Sequence, residues 1–201
     1  MSKNRLEAFS DGVIAILITI MVLELHTPQG TSWEALREDL PVLLAYVLSF
    51  VYLGIYWNNH HHMMAAVHRV SGGALWANLH LLFWLSLVPV VTAWMSENNF
   101  PPVPTAVYGL VLLAAGVAYY TLQGILLRVE GDRSVLRTAI GRDLKGKLSP
   151  GLYCLGIGLS FVHAWPGLLV YVVVALMWLV PDRRVERTLT ARAEQRPQES
   201  S

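Results

Sequence analysis

Long apolar runs constrain this chain more than any other feature. Four of them lie at about 9–26, 40–60, 74–95 and 105–127, and a further apolar region covers 150–180. A helix needs about 20 apolar residues to cross the ~30 Å hydrocarbon core of a bilayer. Because 54% of the residues are hydrophobic and only 14% are charged, the chain is predicted to be an all-α integral membrane protein.

The last apolar region fits either one long tilted helix or a hairpin broken near Pro166. Lys and Arg collect in the cytoplasmic segments of membrane proteins, so their distribution separates the two alternatives. With six spans and a cytoplasmic N-terminus, all of the 15 basic residues except Arg37 lie inside. Five spans would place the arginines of the C-terminal tail outside. We therefore predict six spans with both termini cytoplasmic, the last two at 150–164 and 166–180.

The predicted spans divide the chain into a membrane part and a tail. Residues 1–181 are expected to form one six-helix transmembrane domain, and 182–201 a polar cytoplasmic tail. Proline lacks the N–H of a helix interior, so the three prolines of the link 96–104 are predicted to keep that link out of regular helix.

Several function classes find no support in the residues. The single cysteine, Cys154, has no partner for a disulfide, and a net charge of +1 gives no basis for nucleic-acid binding. No nucleotide-binding loop, Ser-His-acid set or paired catalytic carboxylates are found. We therefore expect neither an enzyme nor a bound cofactor.

The first apolar run opens with a specific polar motif, Arg5-x-x-x-Phe9-Ser10-Asp11, and then carries no charge from Gly12 to Leu23. An acid at the start of a membrane helix is costly and needs a reason. This pattern resembles the opening helix of the bacterial transmembrane-protein-175-like potassium channels, and the likeness extends over about residues 3–181. The resemblance implies a homotetramer in the bacterial inner membrane that conducts potassium passively through a central pore lined by the first helix.

A helical wheel gives the first helix two sides. Ile16, Ile20 and Leu23 share one stripe with Thr19 at its edge, whereas the Ser-Asp pair points to the other half. From the residues alone, lipid contact or helix packing explains the stripe better than a pore, because almost every position from 12 to 23 is apolar. The resemblance implies that the three aliphatic residues form the pore constriction and that Thr19 belongs to a threonine layer that aids selectivity.

Ser10 and Asp11 need hydrogen-bond partners if they are buried. In the predicted topology, the end of the second span and the start of the third reach the same depth as the start of the first. We predict that the pair bonds with donors there and that Arg5 holds the cytoplasmic end, while the exact partners stay open. The donors include Trp57, His60, His61, Asn78 and His80.

The histidines allow an alternative function. Adjacent residues of a helix point 100° apart, so the run His60–His62 cannot direct three imidazoles at one metal, and we predict no metal site. A proton-coupled carrier or a proton-leak pathway through Asp11 and the histidines stays open as the rival to a channel. The expected partners are other copies of the chain, potassium ions and membrane lipids.

Overall fold

The computed structural model describes residues 2–131 and 144–179. All regular structure in these ranges is helical. The predicted tail, 182–201, and residues 132–143 of the basic link lie outside them. The helices are α1 Lys3–Leu23, α2 Trp33–Glu38, α3 Leu40–Ala65, α4 Gly72–Ser86, α5 Val88–Glu97, α6 Pro102–Glu130, α7 Leu144–Val162 and α8 Ala164–Leu179.

Four helical segments within the described residues are long and apolar enough to cross a membrane: Lys3–Leu23, Leu40–Ala65, Gly72–Glu97 and Pro102–Glu130. They correspond to the first four predicted spans, and their ends differ by a few residues. The shorter helix α8 is also apolar. The prediction of an all-α membrane protein is therefore confirmed, while the six-span topology and the position of the termini stay predictions.

The third apolar segment is interrupted at Leu87, where α4 ends and α5 begins. Pro89 cannot donate a backbone hydrogen bond, and its ring would clash with a backbone carbonyl of the preceding helical turn. The helix therefore breaks there. Beside the break, the Thr92 hydroxyl donates to Val88 O at 2.7 Å. Its oxygen lies 2.7 Å from Ser49 Oγ, which in turn contacts Tyr108 Oη at 3.0 Å. This buried hydroxyl chain joins α3, α5 and α6 beside the point where the helix is interrupted.

The prediction that prolines keep the whole link 96–104 out of helix is wrong, because α6 begins at Pro102. The first N–H groups of a helix have no partner within it, so proline is tolerated in the first turn and its fixed φ favours helix initiation. The chain reverses just before this point. Phe100 adopts a φ of 57°, and its N–H donates to Met95 O at 2.9 Å, which satisfies a carbonyl at the end of α5.

The helices pack as two groups. The first contains α1, α4 and α5, the second contains α7 and α8, and both groups contact α3 and α6. The first helix, α1, contacts α3 and α4, and α6 contacts α4 and α7. The hairpin of α7 and α8 closes the second group, and α3 reaches α8 across the bundle. This arrangement fixes one side of α1 and leaves its other side outside the subunit core.

Tyr171 of α8 is fully buried against α3, α6 and α7. Its ring lies against Gly109 of α6 and Gly156 of α7, where an added Cβ would overlap it. Its backbone carbonyl accepts a hydrogen bond from Tyr52 of α3 at 2.6 Å. Two glycines therefore make room for the tyrosine that joins four helices, in line with the use of small residues at membrane helix contacts.

Gly109→Ala is expected to lower the free energy of unfolding by about 1–3 kcal/mol, because the new methyl group forces the Tyr171 ring out of place. Thermal unfolding in detergent measures this as a lower Tm. Gly158→Ala on α7 is the matched control, since a Cβ there meets open space. An equal Tm for the two variants would contradict the close contact between Gly109 and Tyr171.

Candidate functional site

The first helix has one buried side and one exposed side. The buried side faces α3 and α4 and consists of Leu6, Ser10, Ile14, Leu17 and Met21. These positions recur every three or four residues, which is the spacing of one helix face. The packing of one subunit therefore fixes the rotation of α1 about its own axis.

The predicted constriction residues lie on the opposite side. Ile16, Ile20 and Leu23 have exposed fractions of 57%, 39% and 81%, and Phe9 of the motif is also exposed. Ser10 is fully buried on the other side and Asp11 is half-buried, so the predicted separation of the stripe from the Ser-Asp pair is present. The aliphatic stripe is turned away from the subunit's own core.

Thr19 shares the exposed side with this stripe. Its hydroxyl donates to Ile16 O of the same helix at 2.9 Å. Because this bond uses the hydroxyl proton, the oxygen keeps lone pairs that can accept from water or contact a cation. The side chain is therefore oriented to present an acceptor, not a donor, beside the aliphatic stripe.

A buried chain of hydrogen bonds holds the other side of α1. Asn78 of α4 donates through Nδ2 to Ser10 Oγ at 2.9 Å, and Ser10 donates to Leu6 O at 2.9 Å. The Asn78 Oδ1 atom is 2.8 Å from His60 Nε2 of α3. All three side chains are fully buried. Since Oδ1 can only accept, Nε2 of His60 carries the proton, and the chain runs in one direction from α3 through α4 to α1.

A second pair of contacts joins α1 to α3 at a more exposed position. Trp57 donates its indole N–H to Asp11 Oδ1 at 3.0 Å, and His61 Nδ1 lies 3.1 Å from Glu7 Oε1. The Trp57 and His61 rings stack with a centroid distance of 6.2 Å and an interplanar angle of 23°. Ser10 and Asp11 thus both bond with members of the predicted donor set, through different helices.

Two predicted donors and Arg5 do not contact the Ser-Asp pair. His80 accepts from Trp84 Nε1 at 2.9 Å, because the two residues are four apart on the same helix face. His61 contacts Glu7 instead of the Ser-Asp pair. Arg5 is exposed and forms no ion pair within residues 2–131 and 144–179, so the predicted role at the cytoplasmic end has no contact to support it.

Sequence reasoning missed two acids. Glu7 lies one helical turn before Asp11, and the matching spacing of Trp57 and His61 was the signal that could have revealed the contact. Glu130 at the end of α6 accepts from the backbone N–H groups of His68 and Arg69 at 2.7 and 2.9 Å. Its carboxylate therefore ties the link between α3 and α4 to α6.

The fold and the site together define a polytopic helical membrane protein whose first helix is held on one side by polar bonds and exposes an aliphatic stripe on the other. Residues 5–89 match the family described as endosomal/lysosomal potassium channel TMEM175. A protein of Chryseobacterium sp. named as a potassium channel is 51% identical over 189 residues, covering 94% of this chain and 98% of that protein. The chain belongs to the TMEM175 family, whose members are ion channels and not enzymes.

Two further relatives agree over most of the chain. A protein of Streptomyces collinus, also named as a potassium channel, is 36% identical over 176 residues and covers 81% of this chain and 84% of its own length. The crystal structure of a Chamaesiphon minutus homologue of the lysosomal potassium-selective channel TMEM175 superposes with a TM-score of 0.76. It has 32% sequence identity and covers 90% of this chain and 97% of that one. The similarity therefore includes both helix groups.

Proposed function

We propose that four copies of this chain assemble with α1 around a central axis and conduct potassium ions passively across a bacterial inner membrane. The observation that carries the proposal is the division of α1 into a side anchored by Ser10 and a side that exposes Ile16, Ile20 and Leu23. An isolated subunit would leave this stripe uncovered. The identity of the permeant ion is inferred from relatives that are named as potassium channels.

The gate in this proposal is a ring of aliphatic side chains. Four copies of Ile16 and Ile20 around an axis give a narrow passage with no group that can hydrogen bond to water. Such a constriction dewets and blocks ions until it widens. A rotation or outward tilt of α1 is sufficient to widen it. The ring therefore stops ions by excluding their hydration water and needs no plug.

Selectivity is proposed to involve Thr19. Its oxygen keeps free lone pairs after the bond to Ile16 O, and a layer of four such oxygens can replace part of the hydration shell of potassium. Sodium holds its water more strongly, so it loses more hydration than the threonines return. Because a carbon atom cannot coordinate a cation, Thr19→Val is expected to lower the potassium-to-sodium permeability ratio about three- to tenfold. Reversal potentials under bi-ionic conditions measure this ratio, and an unchanged ratio would remove Thr19 from the selectivity layer.

The topology in this proposal has six crossing segments per subunit. They are α1, α3, the broken pair α4–α5, α6, α7 and α8, with both termini and the tail 182–201 in the cytoplasm. The concentration of Lys and Arg on that side supports it. This arrangement places the Ser10–Asn78–His60 chain near the cytoplasmic side and Leu23 near the outer one.

The rival is a proton-coupled carrier or proton leak through Asp11 and the histidines. Asp11 bonds to an indole that cannot relay a proton onward, and His60 bonds to an amide. These contacts support an anchoring role. Planar-bilayer recording of purified protein under opposing potassium, sodium and proton gradients separates the two functions. A channel gives unitary currents that reverse near the potassium potential, whereas a carrier gives saturable flux that follows the proton gradient and no unitary events.

A further inference from the structure

A deep apolar groove runs between α3 and α8. It has a volume of about 370 Å³ and is lined mainly by the first three turns of α3 and most of α8. Ala45 and Ala175 line it and are buried, whereas Leu44, Leu169 and Leu176 line it and are more than half exposed. The groove therefore has a closed floor, where the side chains are small, and one open side.

The lining of the groove has the chemistry of a hydrocarbon. Of the described residues that line it, none carries a charge, and all except Trp165 have side chains without a polar atom. A buried water needs about three polar partners, so water suits this space poorly. The lining of α8 extends from Trp165 to Leu179, about 21 Å along a helix axis. One leaflet is about half of the ~30 Å hydrocarbon core, so this length is sufficient for one acyl chain.

Trp165 gives the groove one polar end. It lies in the first turn of α8, with its ring 5.6 Å from that of Phe100, which also lines the groove. Trp165 is 57% exposed, and its indole N–H donates to no group within residues 2–131 and 144–179. Tryptophan is enriched at the membrane interface, where its ring is in the apolar region and its N–H meets polar groups. A long apolar groove with one donor at its end matches a phospholipid, in which oxygen atoms lie directly above the acyl chain.

Two other occupants fit the groove less well. The parts of the chain outside the described residues, 132–143 and 180–201, are rich in charged and polar residues, whereas the groove is apolar. A second copy of the chain would require the groove to face a neighbouring subunit. Helix α8 packs against α3, α6 and α7. In the proposed assembly, with α1 at the axis, α8 therefore lies on the side of the subunit that faces the bilayer.

We propose that the groove between α3 and α8 binds one acyl chain of a membrane phospholipid, with an ester or phosphate oxygen accepting a hydrogen bond from the indole of Trp165. This site is separate from the proposed conduction path, and only the choice of lipid over a second copy rests on the proposed function. The bound chain packs α8 against α3, which also carries Trp57 and His60, the residues that bond toward α1. The lipid thus becomes part of the packing behind the pore helix.

The test is photolabelling of the full-length protein in liposomes with a phosphatidylethanolamine that carries a diazirine in one acyl chain. We expect mass spectrometry to find the label on the groove residues of α3 and α8. Val172→Trp fills the groove from α8 and should reduce this label at least about fivefold, because the large indole takes the place of the chain. Val173→Trp is the matched control and should keep the label, since Val173 is 54% exposed and is not part of the lining.

A second pair of variants fills the groove from the opposite wall, so the test does not depend on one substitution. Leu44→Trp on α3 should also reduce the label, and Leu43→Trp, next in sequence and outside the lining, should keep it. Size-exclusion elution and Tm show that each variant is folded. An equal fall of the label in groove and control variants would overturn the site. So would a label spread evenly over exposed apolar residues such as Val117 of α6.

Trp165→Phe tests the polar end, because it keeps an aromatic ring and removes the N–H. Native mass spectrometry after mild detergent extraction measures the phospholipid retained per subunit. We expect retention to fall about threefold, the size of one hydrogen bond. Trp94→Phe is the control, since Trp94 is 45% exposed and lies outside the lining. Equal retention by wild type and Trp165→Phe would overturn the contact between the indole and the lipid.

Cysteine cross-linking separates a lipid from a second copy of the chain. Leu44→Cys and Leu176→Cys, each made in a Cys154→Ser background, carry a single thiol in the groove, and we expect no disulfide between copies in liposomes. A linked dimer would identify a second copy as the occupant and overturn the lipid site. A groove-specific label in protein that carries no potassium current would contradict only the proposed function. A conducting protein without that label would contradict only the lipid site.

Discussion

Replacement of Ile16 by asparagine is expected to raise the basal potassium current at least about tenfold, since a change of about 1.4 kcal/mol in a barrier is a factor of ten in rate. Ile16 is exposed on the side of α1 opposite Ser10, and in the proposed tetramer four copies meet at the axis. Asparagine carries an amide that donates to and accepts from water. Four amides would keep the constriction hydrated and remove the dewetting barrier.

The measurement is current per reconstituted protein in planar bilayers, supported by potassium flux into liposomes at matched protein content. Val117→Asn is the control, because Val117 is an aliphatic residue of α6 that is 52% exposed and far from α1 in sequence. It introduces the same amide on a helix outside the proposed pore lining and should leave the current unchanged. Wild-type current in both Ile16→Asn and Ile20→Asn would show that this stripe does not line the conduction path.

The class of fold was predictable from the sequence because membrane crossing leaves a strong signal. Apolar runs of about 20 residues define spans whatever their internal packing. Helix ends were less predictable, since they depend on local hydrogen bonds. Ser71 Oγ accepts from Ala74 N and begins α4, whereas Pro102 begins α6 in a segment that proline content alone excluded from helix. The positions where helices begin and end therefore depend on which backbone N–H groups find a hydrogen-bond partner.

The rotation of α1 was predictable in part. An apolar run carries little facial information, because nearly every side chain suits both lipid and protein. Ser10 supplied the missing reference, since a buried hydroxyl must find a partner. Its burial, together with that of Ile14 and Leu17, fixes the exposed side by elimination. A single polar residue thus oriented the helix where hydrophobicity could not.

The individual partners were beyond the sequence. The set of donors followed from the predicted depth of the helix ends, but the choice among them depends on the register between helices. Asn78 of α4 reaches Ser10, while His80, two residues later, points toward Trp84 on its own helix. Residues two positions apart on a helix point about 200° away from each other. The sequence does not give the rotation of α4, so it does not show which of the two faces the core.

Removal of the central amide tests this network. Asn78→Ala is expected to lower the free energy of unfolding by about 2–4 kcal/mol, because it leaves both Ser10 Oγ and the Nε2–H of His60 buried without their partner. Thermal unfolding and the tetramer fraction by size-exclusion chromatography in detergent are the measurements. Asn98→Ala is the matched control, since the side chain of Asn98 donates to Trp94 O of the preceding turn at an exposed position. Its effect should stay within about 0.5 kcal/mol.

The same network predicts that the effects of two substitutions do not add. Ser10→Ala alone removes a hydroxyl that accepts from Asn78 and donates to Leu6 O, and it should destabilise the protein by about 1–3 kcal/mol. In the Asn78→Ala background the amide is already absent, so the further loss should be at most about half as large. Full additivity would mean that Ser10 and Asn78 act independently, and the rotation of α1 would then depend on apolar packing alone. Non-additivity together with lost current would connect the buried bonds on one side of α1 to the proposed conduction path on the other.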